Sequence, residues 1–187
     1  MRTLIHDSPV GPLTLIADAG KLVGCYFANH PASIAAAADD DASAAGAPPR
    51  EAVAAAQDAE DVALLARTRH ELDGFFARAR QTFSVPIDPR GTPFQRRVWS
   101  ALAAIPHGRT VSYAYIARAI GAPAAVRAVG AANGKNPICI IIPCHRVVGA
   151  SGALTGFGGG LPRKRFLLDL ESPPALGRWG LPVALVG

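Results

Sequence analysis

Ile140-Ile141-Ile142-Pro143-Cys144-His145-Arg146-Val147-Val148 runs from three β-branched apolar residues, through a proline, into a thiol followed by an imidazole. The isoleucine run is too short for a helix and predicts a fully buried strand, which Pro143 should end because it has no N–H to give to a ladder. Cys144 would then stand on a turn at the rim of a core, shielded from water yet within reach of a substrate. Unpaired cysteines are also among the most buried residue types, so on its own Cys144 reads first as a small apolar filler. The pattern on either side decides between filler and nucleophile.

Upstream, the linker Pro86-Ile87-Asp88-Pro89-Arg90-Gly91-Thr92-Pro93 is rich in residues that break elements and marks a domain boundary. Thr92 can cap a helix with Pro93 at its first position, and Phe94, Val98, Trp99, Leu102 and Ile105 would form its buried stripe before Pro106-His107-Gly108 ends it. Ser112 is the N-cap expected for a short helix through Ala119. Gly121 supplies a turn, and Pro123 should start a second helix that Gly134 terminates. Two short helices joined by a glycine turn make a helix-turn-helix. On the second, Val126, Val129, Gly130 and Asn133 share the core face. Ala124, Arg127, Ala128 and Ala131 share the other, which is bare apart from one guanidinium. A major-groove reader would display polar side chains for base edges; small ones suit close approach to sugars and phosphates. The same alanines could instead pack inside the core, but the surrounding charge favours the surface reading.

Five ordered blocks of this half resemble the O6-alkylguanine-DNA alkyltransferases. They are Pro143-Cys144-His145-Arg146-Val147; Gly108-Arg109-Thr110-Val111-Ser112-Tyr113; Arg127 to Asn133 with Asn136-Pro137; Gly156-Phe157-Gly158-Gly159-Gly160; and Leu167-Leu168-Asp169-Leu170-Glu171. The resemblance implies a repair protein that binds duplex DNA through the minor groove and flips out O6-alkylguanine, with O4-alkylthymine as a second substrate. It moves the alkyl group irreversibly to Cys144. His145 would draw the thiol proton through a bound water, Glu171 would orient the other ring nitrogen, and Tyr113 would donate to the departing base. Arg127 would enter the base stack, with Ser112, Ala124, Ala128 and Ala131 along the backbone. Asn136, Cys139, Val147, Gly156, Phe157 and Gly158 would line the substrate pocket. No cofactor and no metal are implied, and the protein would act as a monomer, with side-by-side binding of several copies left open.

The chemistry of the residues agrees with this. Cysteine is a soft nucleophile suited to saturated carbon, but a thiol of pKa ~8.5 is mostly protonated at neutral pH and needs a base. Asp169 and Glu171 are the only carboxylates after residue 90. Arg146 is expected to be structural, tying its turn to neighbouring carbonyls.

The net charge of +5 hides an asymmetry. Residues 1–90 carry 8 Lys and Arg against 12 Asp and Glu, and residues 91–187 carry 11 against 2, so the halves stand at −4 and +9. A basic half with almost no carboxylates reads as a footprint for a polyanion, nucleic acid first, although a merely soluble basic surface would share it. Cys25, Cys139 and Cys144 form no even disulfide framework and no Cys-x-x-Cys pair. With no apolar run of the ~20 residues a membrane span needs and no signal-peptide core, a cytoplasmic protein is expected.

The fold class expected is α/β in the α+β sense. A small N-terminal antiparallel sheet with a helix (residues 1–89) precedes a mostly helical C-terminal domain (92–172) and a tail (173–187). Residues 1–27 alternate apolar and polar around two turn signals, predicting a meander with Leu13, Leu15, Leu22 and Val23 inward. An Ala/Asp/Ser/Pro-rich loop spans about 28–50, and its Asp39-Asp40-Asp41 reads as a solvated turn rather than a metal site. Leu64, Leu65, Thr68, Leu72, Phe75, Phe76 and Ala79 predict an amphipathic helix over about 58–80. Two other functions fit parts of the chain: a lesion-sensing or regulatory DNA-binding protein without transfer activity, which would have no use for the thiol, and a cysteine hydrolase, which would have no use for the basic helix.

Overall fold

The computed structural model describes residues 1–28 and 50–172, with residues 50–55 as backbone only. The expected loop over 28–50 and the tail 173–187 lie almost wholly outside the described residues. The chain divides into two compact units, Met1–Pro89 and Arg90–Gly187. No helix among the described residues is long and apolar enough to cross a membrane.

In the first unit β1 (Arg2–His6), β2 (Leu13–Asp18) and β3 (Lys21–Phe27) form an antiparallel sheet in chain order. The β2–β3 turn places Ala19 (φ 51°) and Gly20 (φ 71°) both in the left-handed region, the two-residue geometry that matches strand twist. Leu13, Leu15 and Leu22 are buried as expected, whereas Val23, which alternates to the opposite face, packs with Ile16 and Tyr26. Helix α1 (Arg50–Phe76) lies on this sheet. Leu64, Leu65, Thr68, Leu72 and Phe75 are buried, but Ala79 is exposed beyond the helix end. There Arg78 adopts φ 58° and the Ala79 N–H bonds back to the Gly74 carbonyl at 2.9 Å, a left-handed cap that stops α1 short of residue 80.

The second unit opens with α2 (Pro93–Ala103), capped as its sequence predicts: Thr92 Oγ1 accepts from Gln95 N, and Gln95 Oε1 accepts from Thr92 N at 2.8 Å. Val98, Trp99 and Leu102 are buried, and the Trp99 indole donates to the Ala132 carbonyl at 2.9 Å. After β4 (Val111–Ser112), the Ser112 hydroxyl accepts from Tyr115 N at 3.1 Å and starts α3 (Tyr113–Ala119). Gly121 (φ 72°) makes the turn. Helix α4 is Val126–Gly134, three residues later than Pro123 suggested, because Ala122 to Ala125 close a separate turn, with Ala125 N on the Ala122 carbonyl at 2.9 Å. A single turn of 3₁₀ helix (Cys144–Arg146), β5 (Val147–Val148) and α5 (Leu161–Glu171) complete the unit. The two-residue strands β4 and β5 pair in parallel, setting Val111 against Val147 and Ser112 against Val148.

The isoleucine run is not a strand. Ile138, Ile140 and Ile142 are fully buried, but Ile140 has φ 73°, and Ile142 N bonds to the Ile138 carbonyl at 2.9 Å. The partner that a strand would have supplied is the Asn136 side chain. Its Nδ2 donates to the Ile142 carbonyl at 2.8 Å and its Oδ1 accepts from Ile138 N at 3.1 Å. A side-chain amide thus pins a tight apolar turn, satisfying buried backbone groups that would otherwise be orphaned.

Candidate active site

The short 3₁₀ turn puts three consecutive polar side chains inside the second unit: Cys144, His145 and Arg146 are all buried. Buried polar groups must find partners. Two of these three meet at the last residue of α5, Glu171. His145 Nε2 lies 2.9 Å from Glu171 Oε1, while Arg146 grips both carboxylate oxygens, Nη2 to Oε1 and Nε to Oε2, each at 2.8 Å. Gly108 N donates to Oε2 at 3.1 Å, and Arg146 Nη1 reaches the Ile105 carbonyl at 2.5 Å. Arg146 therefore ties its turn to a carbonyl as expected, and in addition supplies the bidentate cation for Glu171. Gly108 has φ 70°, and a Cβ there would sit 3.0 Å from the Glu171 carbonyl oxygen.

Burial alone would raise the Glu171 carboxyl, but its hydrogen bond with His145, and then the hydrogen bonds and charge of Arg146, hold it well below the usual carboxylate range. Burial pushes the His145 imidazole down from its ordinary value, against the pull of Glu171. A neutral ring facing an ionised carboxylate keeps its proton on Nε2, which leaves the lone pair on Nδ1. That Nδ1 is buried and has no hydrogen-bond partner among the described residues. The ring is thus set up as a base with its basic atom unengaged.

Cys144 is 3% exposed. Its thiol is held below its ordinary value, first by a hydrogen bond from the Cys139 side chain, then, against burial, by the Asn136 amide, the Lys164 ammonium and a backbone N–H. Lys164 was not foreseen. It is fully buried, Nζ donates to the Val147 carbonyl at 2.6 Å and to the Thr155 carbonyl at 2.7 Å, and burial brings it down to about 8 against the pull of Cys144. In the sequence it sits within Arg163-Lys164-Arg165, which reads as a solvated charged face. Tyr113, half-buried on α3, directs its hydroxyl at the Gly156 carbonyl (3.3 Å) and the Thr155 carbonyl (3.4 Å), and burial raises its phenol.

The fold therefore assembles Cys144, His145, Glu171, Tyr113, Cys139 and Asn136 in one region with the 155–158 loop. Gly156 and Gly158 are exposed and Phe157 is half-buried. Val147 and Asn136 are buried, Asn136 with its amide already committed to the isoleucine turn. Apart from these, Ala124, Arg127, Ala128 and Ala131 all lie exposed, so the alanines are not core packing. Gly130, on the same helix, stands within 3.9 Å of the Tyr113 ring when given a Cβ, so α4 runs directly past the site. A cavity of about 930 Å³ between α2 and α3, lined by residues that include Arg96, Arg97, Ser100, Arg109 and Tyr115, contains none of the expected pocket residues. Among the described residues no cluster of His, Cys, Asp or Glu could hold a metal ion.

Residues 1–89 match the family model of the 6-O-methylguanine DNA methyltransferase ribonuclease-like domain, and residues 93–173 that of the 6-O-methylguanine DNA methyltransferase DNA-binding domain. A methylated-DNA–protein-cysteine methyltransferase of Mycobacterium bovis is 46% identical over 169 residues, 90% of this chain and 91% of the relative. One from Methanosarcina acetivorans is 41% identical over 167 residues, 89% and 96%. The crystal structure of Mycobacterium tuberculosis OGT in complex with DNA superposes with a TM-score of 0.72 at 44% identity, covering 92% of this chain and 94% of that one. With family models over both units and relatives of this identity over nearly the whole length, the chain belongs to the 6-O-methylguanine DNA methyltransferase family and repairs DNA by transferring alkyl groups to a protein cysteine.

Proposed function

We propose that Cys144 is the acceptor, that the substrate is O6-alkylguanine flipped out of duplex DNA, with O4-alkylthymine as a second substrate, and that each molecule reacts once. The observation that carries this reading is the buried Cys144–His145–Glu171 series, in which the imidazole is neutral, tautomerically fixed and unpartnered at Nδ1. His145 Nδ1 takes the Cys144 proton through one bridging water. The thiolate attacks the alkyl carbon, the carbon–O6 bond breaks, and its electron pair leaves with guanine, to which the Tyr113 hydroxyl donates. The product thioether has no leaving group that water could displace, so the protein is consumed.

The target atom lies inside the base stack, and extrusion costs a few kcal/mol. The exposed Arg127, alone among small side chains on α4, is suited to fill the gap, with Ala124, Ala128 and Ala131 letting the minor-groove backbone approach closely. Ser112, whose oxygen caps α3, keeps its O–H available to a phosphate. Cys139, Val147, Gly156, Phe157 and Gly158 bound the base pocket, and Asn136 fixes its floor. The protein acts as a monomer.

Intact-mass measurement after incubation with an oligonucleotide carrying O6-methylguanine tests the reading: one S–H should become one S–CH₃ on Cys144 per lesion repaired, and then repair should stop. Repair beyond one equivalent, or a methyl on another residue, overturns it.

A further inference from the structure

Two thiols share the core of the second unit, and the turn between them brings them together. From Ile138 to Cys144 the chain folds back on itself through the left-handed Ile140, with Ile141 N on the Cys139 carbonyl at 2.9 Å, a bridge between Cys139 and Ile142, and Cys144 N on the Ile142 carbonyl at 2.8 Å. The turn thereby sets the Cys139 side chain beside that of Cys144, in reach of a hydrogen bond to it, with Cys139 8% and Cys144 3% exposed. Cys139 Sγ also lies 3.7 Å from the Asn136 carbonyl oxygen. It has two acceptors in reach and a single proton to give.

Which acceptor receives that proton depends on the charge of Cys144. A neutral thiol is a weak acceptor, so the Cys139 S–H is better placed on the Asn136 carbonyl. A thiolate is far stronger, because hydrogen bonds to ionised groups are roughly twice as strong as neutral ones. We infer that Cys139 is a positioning residue for alkyl transfer, whose S–H swings from the Asn136 carbonyl to the Cys144 sulfur as that sulfur loses its proton. This deepens the proposed function and rests on Cys144 being the acceptor. The swing holds negative charge on a sulfur that is almost wholly buried. It also makes each thiolate a poorer nucleophile, since nucleophilicity falls with thiol basicity.

The two effects have opposite signs on either side of the thiol's titration, which gives the experiment its signature. Single-turnover reaction of the full chain with free O6-benzylguanine, which bypasses DNA binding, is followed across pH for wild type, Cys139→Ala and Cys139→Ser. Other charges facing Cys144, namely Lys164 from α5, Tyr113 from α3 and the His145–Glu171 pair, are the same in all three proteins. Cys139→Ala should react about tenfold more slowly at neutral pH, because less of its Cys144 is ionised. It should match or exceed wild type at high pH, so that the two profiles cross. Cys139→Ser, whose hydroxyl can donate in the same place, should keep the wild-type inflection. Purely packing damage would instead lower the Cys139→Ala rate by one factor at every pH, with no rescue by serine, and that parallel displacement, or an unchanged profile, overturns the inference. Failure of wild type itself to be alkylated on Cys144 would overturn the underlying reading instead.

Discussion

Replacing Glu171 by Gln changes almost no volume but removes the charge on which two buried side chains converge. Four donors face the two carboxylate oxygens: His145 Nε2, Arg146 Nε, Arg146 Nη2 and Gly108 N, at 2.8 to 3.1 Å. Glutamine offers one oxygen, and its NH₂ must point at donors it cannot satisfy. Arg146, 6% exposed, is left a buried cation without its counter-ion. Removing one partner of a buried pair typically costs about 3–5 kcal/mol, which lowers the melting temperature by on the order of 10 °C. Chemistry should suffer separately. The new NH₂ can donate to His145 Nε2, driving the ring proton to Nδ1 and removing the lone pair the thiol needs; the comparable tautomer error in a hydrolytic triad costs about 10⁴-fold. Single-turnover repair of O6-methylguanine in duplex DNA, measured beside thermal unfolding, should show a slow residual rate and a clear loss of stability. The sign of the pH effect follows from the depressed Glu171 carboxyl. Its stabilisation is complete above the ordinary carboxylate value of ~4.3 and is lost as pH falls further, so wild type and variant should converge in acid. A Glu171→Gln protein that repairs within about tenfold of wild type would refute the tautomer assignment, and one that melts with wild type at neutral pH would refute the ion-pair argument.

In wild type the repair rate should rise with pH through an inflection below the ordinary thiol value of ~8.5, because Cys144 is held down, and His145, also lowered, should remain neutral through that range; a rate independent of pH would show that deprotonation is not limiting. Lys164→Met removes the cation beside Cys144 and should move that inflection upward. Since the buried ammonium titrates at about 8 rather than ~10.4, the cost of charging it is full below pH 8 and fades as pH rises, so the stability of wild type relative to Lys164→Met should improve between those values in thermal melts. Arg127→Ala should slow repair in duplex DNA while leaving reaction with free O6-benzylguanine and thermal stability unchanged, and equal losses on both substrates would remove Arg127 from base flipping. Duplex binding measured against salt should weaken steeply, with a slope that Arg127→Ala reduces by about one phosphate's worth if the guanidinium contacts the backbone instead.

What the sequence made legible was mostly local. The Thr92–Gln95 capping box, the Ser112 cap and Gly121 each depend on residues within a few positions of one another, so type and spacing suffice to place them. Leu13, Leu15 and Leu22 could be assigned because alternation of period two survives in any sheet with a buried face. Ile140 to Ile142 misled because an apolar β-branched run looks the same whether its backbone is satisfied by a neighbouring strand or, as here, by one asparagine side chain. Nothing local at Arg146 points to a carboxylate 25 residues away. Lys164 was hidden for a related reason: flanking arginines promise an exposed face, and only the meeting of α5 with β5 and the 155–158 loop creates the two carbonyls that draw its ammonium inward.

For folding, the outward face of α4 is nearly silent. Ala128 and Ala131, with Ala124 in the turn before the helix, project methyl groups into solvent, while the helix secures itself on Val129, Ala132 and Asn133 and through the Trp99 bond to Ala132. Most positions in a small unit confound two questions, because a change that harms activity has usually harmed the fold as well. Here the two separate by geometry. A library randomised at residues 124, 128 and 131 should yield proteins that fold alike, and differences in repair among them would then mark this face as the one proposed to meet DNA.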